Sequence, residues 1–183
     1  MARVLMPLAQ GCEELEAVTI IDLLRRAGIE VVVAGLAPGI VKASRGTQLM
    51  PDTTLAAALL EDFDMVVLPG GMPGAQNLKD DARIIGLIQE MAAVDRYVAA
   101  ICAAPTVLAA AGVLGGKIAT GYPGFLEKMN LTDVTLSADA VVRDGQVITS
   151  RGPGTAMDFA LSLVEILAGH ETRQQVESAL VRA

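Results

Sequence analysis

Cys102 lies in the run Tyr97-Val-Ala-Ala-Ile-Cys-Ala-Ala-Pro-Thr-Val-Leu108, where a buried-strand pattern gives way to a helical one. A thiol on a tight strand-to-helix turn points into solvent beside the free N–H groups of the helix start. Those groups and the positive end of the helix dipole favour a thiolate, so the pKa is expected to fall below its ordinary ~8.5. That is the setting of a nucleophile. A Cys can equally serve as a small buried hydrophobe, so the residues around it decide the reading.

Three carboxylates crowd one other segment, Glu13, Glu14 and Glu16. Glu13 and Glu14 read as an acidic first turn that complements a helix dipole. Glu16 falls among Leu15, Ala17 and Val18, where a buried carboxyl titrates high. Once protonated, it can donate a hydrogen bond to a thiolate and favour the charged sulfur by about 1.5–3 kcal/mol. Pro69-Gly-Gly-Met-Pro-Gly74 lacks the Lys-Ser/Thr of a phosphate loop and alone marks a tight strand exit. Beside Cys102 it suggests an oxyanion site, with the N–H groups of Gly71 and Ala103 as donors. The one histidine, His170, follows a helix end at Ala168-Gly169, where it is expected to face terminal carbonyls. A Cys–His hydrolase is therefore not expected. Cys12 reads as a small loop residue, with a resolving thiol as the alternative, and Cys and His are too scarce for a metal site.

The elements that must position these residues alternate. Arg3–Leu8, Glu30–Ala34, Asp64–Leu68 and Tyr97–Ile101 read as strands, and Glu13–Arg26, Ala82–Ala93 and Pro105–Ala111 as helices. Alternation of this kind predicts a mostly parallel sheet with helices on both faces. Val141–Thr149 has an Asp-Gly turn between β-branched runs, hence a small hairpin, and Gly154–Ala168 and Thr172–Val181 read as late helices. In a flavodoxin-like strand order the loops holding Glu16, Gly71 and Cys102 meet at one edge of the sheet.

Composition narrows the function class. The 183 residues suit a single domain spanning 1–183, 52% apolar but only 3% aromatic, so Ala, Val, Leu and Ile build the core. A net charge of −7 without a basic run argues against a nucleic-acid partner. Two cysteines make no disulfide framework and suit a reducing, cytoplasmic setting. The N-terminus lacks the apolar stretch of a signal peptide. The uncharged stretch from Tyr97 to Gly116 approaches the length of a membrane span, but Pro105 and Gly112 interrupt it, and a buried strand followed by a buried helix accounts for it.

Together the motifs Gly11-Cys-Glu-Glu-Leu-Glu16, Leu23-Leu-Arg-Arg-Ala-Gly28, Ser44-Arg-Gly46, Val66-Val-Leu-Pro-Gly-Gly71, Ala99-Ala-Ile-Cys-Ala-Ala-Pro105 and Thr149-Ser-Arg-Gly-Pro-Gly-Thr155 resemble the ThiJ/PfpI superfamily. The resemblance spans essentially the whole chain and is to the branch of human parkinsonism-associated protein deglycase and bacterial YajL. It implies a flavodoxin-like three-layer sandwich that forms a homodimer and needs no cofactor. It also implies that Cys102 is the oxidation-sensitive nucleophile, Glu16 its protonated partner, and Gly71 and Ala103 the backbone donors. Arg26 and Arg45 match residues bordering the site at the dimer interface. Ala103 stands where the protease-like branch has a histidine, so peptidase activity is not expected. Gly121-Tyr122 replaces a segment that carries a histidine in the human protein, which leaves Tyr122 at most a hydroxyl to offer.

Three functions fit this reading. The first is a glyoxalase or deglycase acting on methylglyoxal, glyoxal or their early adducts through a Cys102 hemithioacetal. The second is an oxidative-stress sensor and redox-regulated chaperone acting through oxidation of Cys102 to sulfinic acid. The third is a scaffold kept for dimerisation, which would need neither the carboxyl nor the glycine loop.

Overall fold

The computed structural model describes residues 1–182. Its main sheet has seven strands: β1 (Arg3–Leu8), β2 (Glu30–Gly35), β5 (Thr53–Thr54), β6 (Met65–Leu68), β7 (Tyr97–Ile101), β10 (Val141–Asp144) and β11 (Val147–Ser150). Their order is β10-β11-β7-β6-β1-β2-β5, and every neighbouring pair is parallel except β10 with β11. Two further pairs lie outside it: β3 (Val41–Lys42) with β4 (Gln48–Leu49), antiparallel, and β8 (Ile118–Ala119) with β9 (Thr135–Leu136), parallel. All four residues of β6 are buried, as a strand covered on both faces requires.

The helices are α1 (Glu14–Arg26), α2 (Leu55–Ala58), α3 (Gly74–Asp80), α4 (Ala82–Ala93), α5 (Pro105–Ala110), α6 (Ala156–Ala168) and α7 (His170–Ala179). The crossover from β1 to β2 runs one way along the sheet, and that from β6 to β7 runs the other. Parallel crossovers are right-handed, so the two place their helices on opposite faces. Accordingly α1 packs on α6, which also carries α7, whereas α3, α4 and α5 pack together. This is the flavodoxin-like α/β fold. The uncharged stretch after Tyr97 becomes β7 and the buried start of α5, and among the described residues no helix is long and apolar enough to cross a membrane.

The Asp144–Gly145 turn, with Gly145 at φ +63°, closes the expected hairpin. Its second strand continues the main sheet alongside β7. Three boundaries differ from the sequence reading by two residues, and several others by one. Residues 153–155 form a 3-10 turn before α6, because Pro153 and Gly154 do not extend a helix. The last helix begins at His170, not Thr172, since Gly169 at φ +88° lets the chain turn and restart at once. It ends at Ala179, short of Val181. The short pairs β3–β4 and β8–β9 and helices α2 and α3 carry too few periodic residues to be read from sequence.

Candidate active site

Strand β6 lies between β1 and β7, so the loops leaving these three strands meet at one edge. The chain order reverses direction between β1 and β6, and that crevice is where open α/β sheets bind ligands. Backbone hydrogen bonds knit the loops. Glu13 N–H donates to the Gly70 carbonyl at 2.9 Å, and Gly74 N–H to the Gly11 carbonyl at 3.1 Å.

Glycine is required where these loops touch. A Cβ on Gly70 would come within 2.6 Å of the Cys102 Cβ and 2.9 Å of Glu16 Oε2. On Gly71, at φ +86°, it would collide with the Glu13 backbone nitrogen.

Cys102 sits at the end of β7 with φ +65°, a left-handed conformation that costs a non-glycine residue roughly 1–2 kcal/mol. Its N–H donates to the Ser150 carbonyl at 3.0 Å, and its own carbonyl accepts the Tyr122 N–H at 2.7 Å. Two such bonds, at about 0.5–1.5 kcal/mol each, are large enough to hold the strained residue in place.

The Glu16 side chain has no exposed surface, and its Oε2 accepts the Gly70 N–H at 2.7 Å. Its Oε1 is buried without a hydrogen-bond partner, beside the Cys102 thiol, whose proximity bears on the titration of the carboxyl. Burial pushes the Glu16 carboxyl up to about 7, against the Gly70 N–H and the thiol, which lower it. Burial, followed by the Glu16 carboxylate, pushes the Cys102 thiol up to about 12, while the N–H groups of Gly71 and Ala103 pull it down. This corrects the expected lowering. The thiol is only 8% exposed, α5 is too short to add much dipole, and an ionised Glu16 opposes a second negative charge. Two adjacent acids cannot both ionise near neutrality, so between its two losses the pair shares one proton.

The other expected site residues are distributed unevenly. Gly71 and Ala103 direct their N–H groups at the Cys102 sulfur. Tyr122 is half-exposed, is bound to Cys102 through its backbone, and lies across Gly152. It lines a groove of about 370 Å³ with Pro123 and residues 151–155. Arg45 is exposed in the β3–β4 turn, whose Ser44 N–H donates to the Cys12 carbonyl at 2.8 Å. Arg26 is not brought to the site within this chain. It closes α1 roughly 15 Å beyond Glu16 along the helix axis, paired with Asp22 at 2.7 Å.

Cys12 is fully buried, and burial and the nearby Glu14 push its thiol up to about 11. It occupies the place of a small loop residue, packed so closely that a Cβ on Gly74 would reach within 2.6 Å of its Cα. His170 does not meet terminal carbonyls. As the first residue of α7, its Nδ1 lies 3.1 Å from Glu165 Oε1 and its Nε2 3.0 Å from the Gln174 amide.

Sequence reasoning missed three contributors. Gly70, rather than Gly71, supplies the N–H that holds Glu16. Glu14 does more than face a helix dipole: it accepts the Arg45 N–H at 3.1 Å and the Ser44 hydroxyl at 3.1 Å, anchoring the β3–β4 turn. Partial desolvation would raise its pKa, but its own N–H and those of Arg45 and Thr47 hold it down at about 2. The third is the buried pair Thr149 and Ser150 at the end of β11. The signal available was Thr-Ser where an all-buried strand favours Val or Ile.

An elbow thiol raised on this sheet, against a buried carboxyl and with no histidine in reach, defines a flavodoxin-like protein built around a cysteine–carboxyl pair. Relatives make the class specific: the DJ-1/PfpI family profile matches residues 2–166, and the chain belongs to that family. It is 46% identical to Protein dj-1beta of Drosophila melanogaster over 180 residues, covering 98% of this chain and 96% of that protein. The crystal structure of the Drosophila protein superposes with a TM-score of 0.95 at 45% identity, covering 100% of this chain and 98% of the other. Toxoplasma gondii DJ-1, solved in an oxidized form, superposes with a TM-score of 0.94 at 38% identity and covers each chain fully. The glutathione-independent glyoxalase DJR-1.2 of Caenorhabditis elegans is 36% identical, covering 93% of this chain and 90% of its own.

Proposed function

We propose that the chain is a cofactor-independent glyoxalase acting on methylglyoxal, glyoxal or their early adducts, with Cys102 as nucleophile and Glu16 as proton carrier. The observation that carries this reading is the Glu16 carboxyl lying against the Cys102 thiol, with the N–H groups of Gly71 and Ala103 on the same sulfur. The glyoxalase relative at 36% identity supports it.

The chemistry needs no redox partner. The sulfur attacks the aldehyde carbon as its proton passes through Glu16 to the aldehyde oxygen, giving a hemithioacetal. The N–H groups of Gly71 and Ala103 stabilise the oxygen as its charge develops. Glu16, now a carboxylate, takes the hydrogen from that carbon and returns it to the adjacent carbonyl carbon, while the proton of the first hydroxyl passes to the second oxygen, leaving a lactoyl thioester. Water cleaves the thioester, so methylglyoxal plus water gives lactate. Peptidase activity is not part of this reading, because Ala103 offers no side-chain base. Wild type is expected to form lactate and Cys102→Ala to form none; equal turnover by the variant would refute the reading.

A second reading has its own support in the oxidized Toxoplasma relative. Peroxide takes Cys102 to sulfenic and then sulfinic acid, and the Glu16 proton and backbone N–H groups stabilise the product, making the thiol a stress sensor. Mild peroxide is then expected to add two oxygens at Cys102 alone, whereas oxidation spread over the methionines would count against it. Two free thiols suit a cytoplasmic setting. The homodimer, which would have to bring Arg26 to a site, is checked by sedimentation.

A further inference from the structure

We propose that Thr149 and Ser150 are positioning residues for the Cys102 thiol: adjacent at the end of β11, they hold the two ends of the strained Cys102 residue. The inference rests on Cys102 being the reacting group.

The argument begins with the strand. Thr149 and Ser150 pair with Ala100 and Ile101 of β7, immediately before Cys102, and both are fully buried. Consecutive strand residues face opposite sides of a sheet, so their hydroxyls reach different segments. Ser150 passes its carbonyl to the Cys102 N–H at 3.0 Å. Its hydroxyl donates to the Ala140 carbonyl at 2.8 Å and lies 2.7 Å from the Thr155 hydroxyl. Thr155 in turn accepts the Gly152 N–H at 3.1 Å, so the strand end is fixed to the turn that follows it.

On the other side, Thr149 Oγ1 accepts the Thr120 N–H at 2.9 Å in a buried contact. Two residues further on, the Tyr122 N–H meets the Cys102 carbonyl at 2.7 Å. The segment between them runs close against Cys102, since a Cβ on Gly121 would reach within 3.2 Å of the Cys102 carbonyl oxygen. Cys102 is therefore clamped at its N–H through Ser150 and at its carbonyl through Thr149. Releasing either end lets φ relax from +65° and swings the sulfur away from Glu16 and from the N–H groups of Gly71 and Ala103.

Valine has the shape of threonine without the acceptor, so Thr149→Val is the direct test and Thr149→Ser, which keeps the oxygen, is its rescue. The readout is the rate of Cys102 alkylation by iodoacetamide against pH, assigned by peptide mass, with thermal melting measured beside it. Freed from the burial and the carboxylate that oppose its ionisation, the thiol of Thr149→Val is expected to alkylate faster at neutral pH, on the order of tenfold, with the pH midpoint displaced downward, and Thr149→Ser to restore both. A folded Thr149→Val with the wild-type pH profile and only a lower Tm would overturn the proposal. If that variant does not fold, Ser150→Ala is read the same way; failure of both to fold would mark the pair as carrying global stability and would equally overturn it. Alkylation does not depend on methylglyoxal turnover. Wild type that forms no lactate would defeat the glyoxalase reading, while the variants' alkylation profiles still decide this one.

Discussion

The Glu16 carboxyl lies against the Cys102 sulfur, and its other oxygen is fixed by the Gly70 N–H at 2.7 Å. Neither group is in water: Glu16 has no exposed surface and Cys102 very little. Burial opposes the ionisation of both; an ionised Glu16 makes that of the thiol harder still, whereas the thiol favours the carboxylate, and the Gly71 and Ala103 N–H groups offset part of the penalty on the sulfur. The pair therefore behaves as one acid with two losses, the first near 7, where Glu16 titrates.

The pH dependence of turnover follows. Activity needs the singly protonated pair, so kcat/KM for methylglyoxal is expected to rise through about pH 7. Glu16→Gln cannot carry a proton between carbons, and its turnover is expected to fall at least about 100-fold, with the rise near pH 7 gone. A variant that keeps that rise would show that Glu16 is not the titrating group.

Stability carries the same signature with a defined sign. The folded-state pKa of Glu16 is raised to about 7, above the ~4.3 of an unfolded chain. Its contribution is thus fully present below about pH 4.3 and lost as pH rises through 7. Urea unfolding should show wild type losing up to roughly 4 kcal/mol against Glu16→Gln across that window. A constant difference between the two proteins would contradict the raised pKa.

Glu14 predicts the opposite slope. Its folded pKa is depressed to about 2, so the stability it supplies is present above about pH 4.3 and lost as pH falls towards 2. Glu14→Gln should be the less stable protein at pH 6, and the difference should shrink at pH 2.5. Amide exchange of the Arg45 and Thr47 N–H groups, which Glu14 holds, should quicken in the variant. Unchanged protection of both amides would remove Glu14 as the anchor of the turn.

Gly70→Ala is the sharpest steric test. The added Cβ has Cys102, Glu16 and the Ile101 carbonyl within 2.9 Å, all on buried elements. A displacement on the order of 1 Å at the thiol is expected to cost about 100-fold in kcat, together with a lower Tm. Wild-type kinetics in a folded Gly70→Ala protein would mean that the loop yields freely.

His170 supplies the control. Its ring is exposed and tied to Glu165 and Gln174 on the surface of α6 and α7. His170→Ala should leave the kcat/KM pH profile unchanged, and a shift in that profile would revive a histidine in the mechanism.

Much of this was legible in the chain itself. Alternating apolar runs gave the parallel sheet, because strands covered on both faces must be apolar throughout. The strand-to-helix junction marked Cys102, and the apolar neighbours of Glu16 marked a carboxyl that would titrate high. Those are local properties, carried by periodicity and side-chain type. Others depended on contacts between distant segments. The direction of the Cys102 shift was one, since the carboxylate opposing the thiol reaches it only when β1 and β7 flank β6. Gly70 as the Glu16 donor, Glu14 as the anchor of the β3–β4 turn, and Thr149 and Ser150 behind the thiol were likewise decided by loops meeting at one sheet edge. A sequence states which groups can donate, accept or ionise; burial and the approach of partners set their free energies, and both are properties of the folded chain.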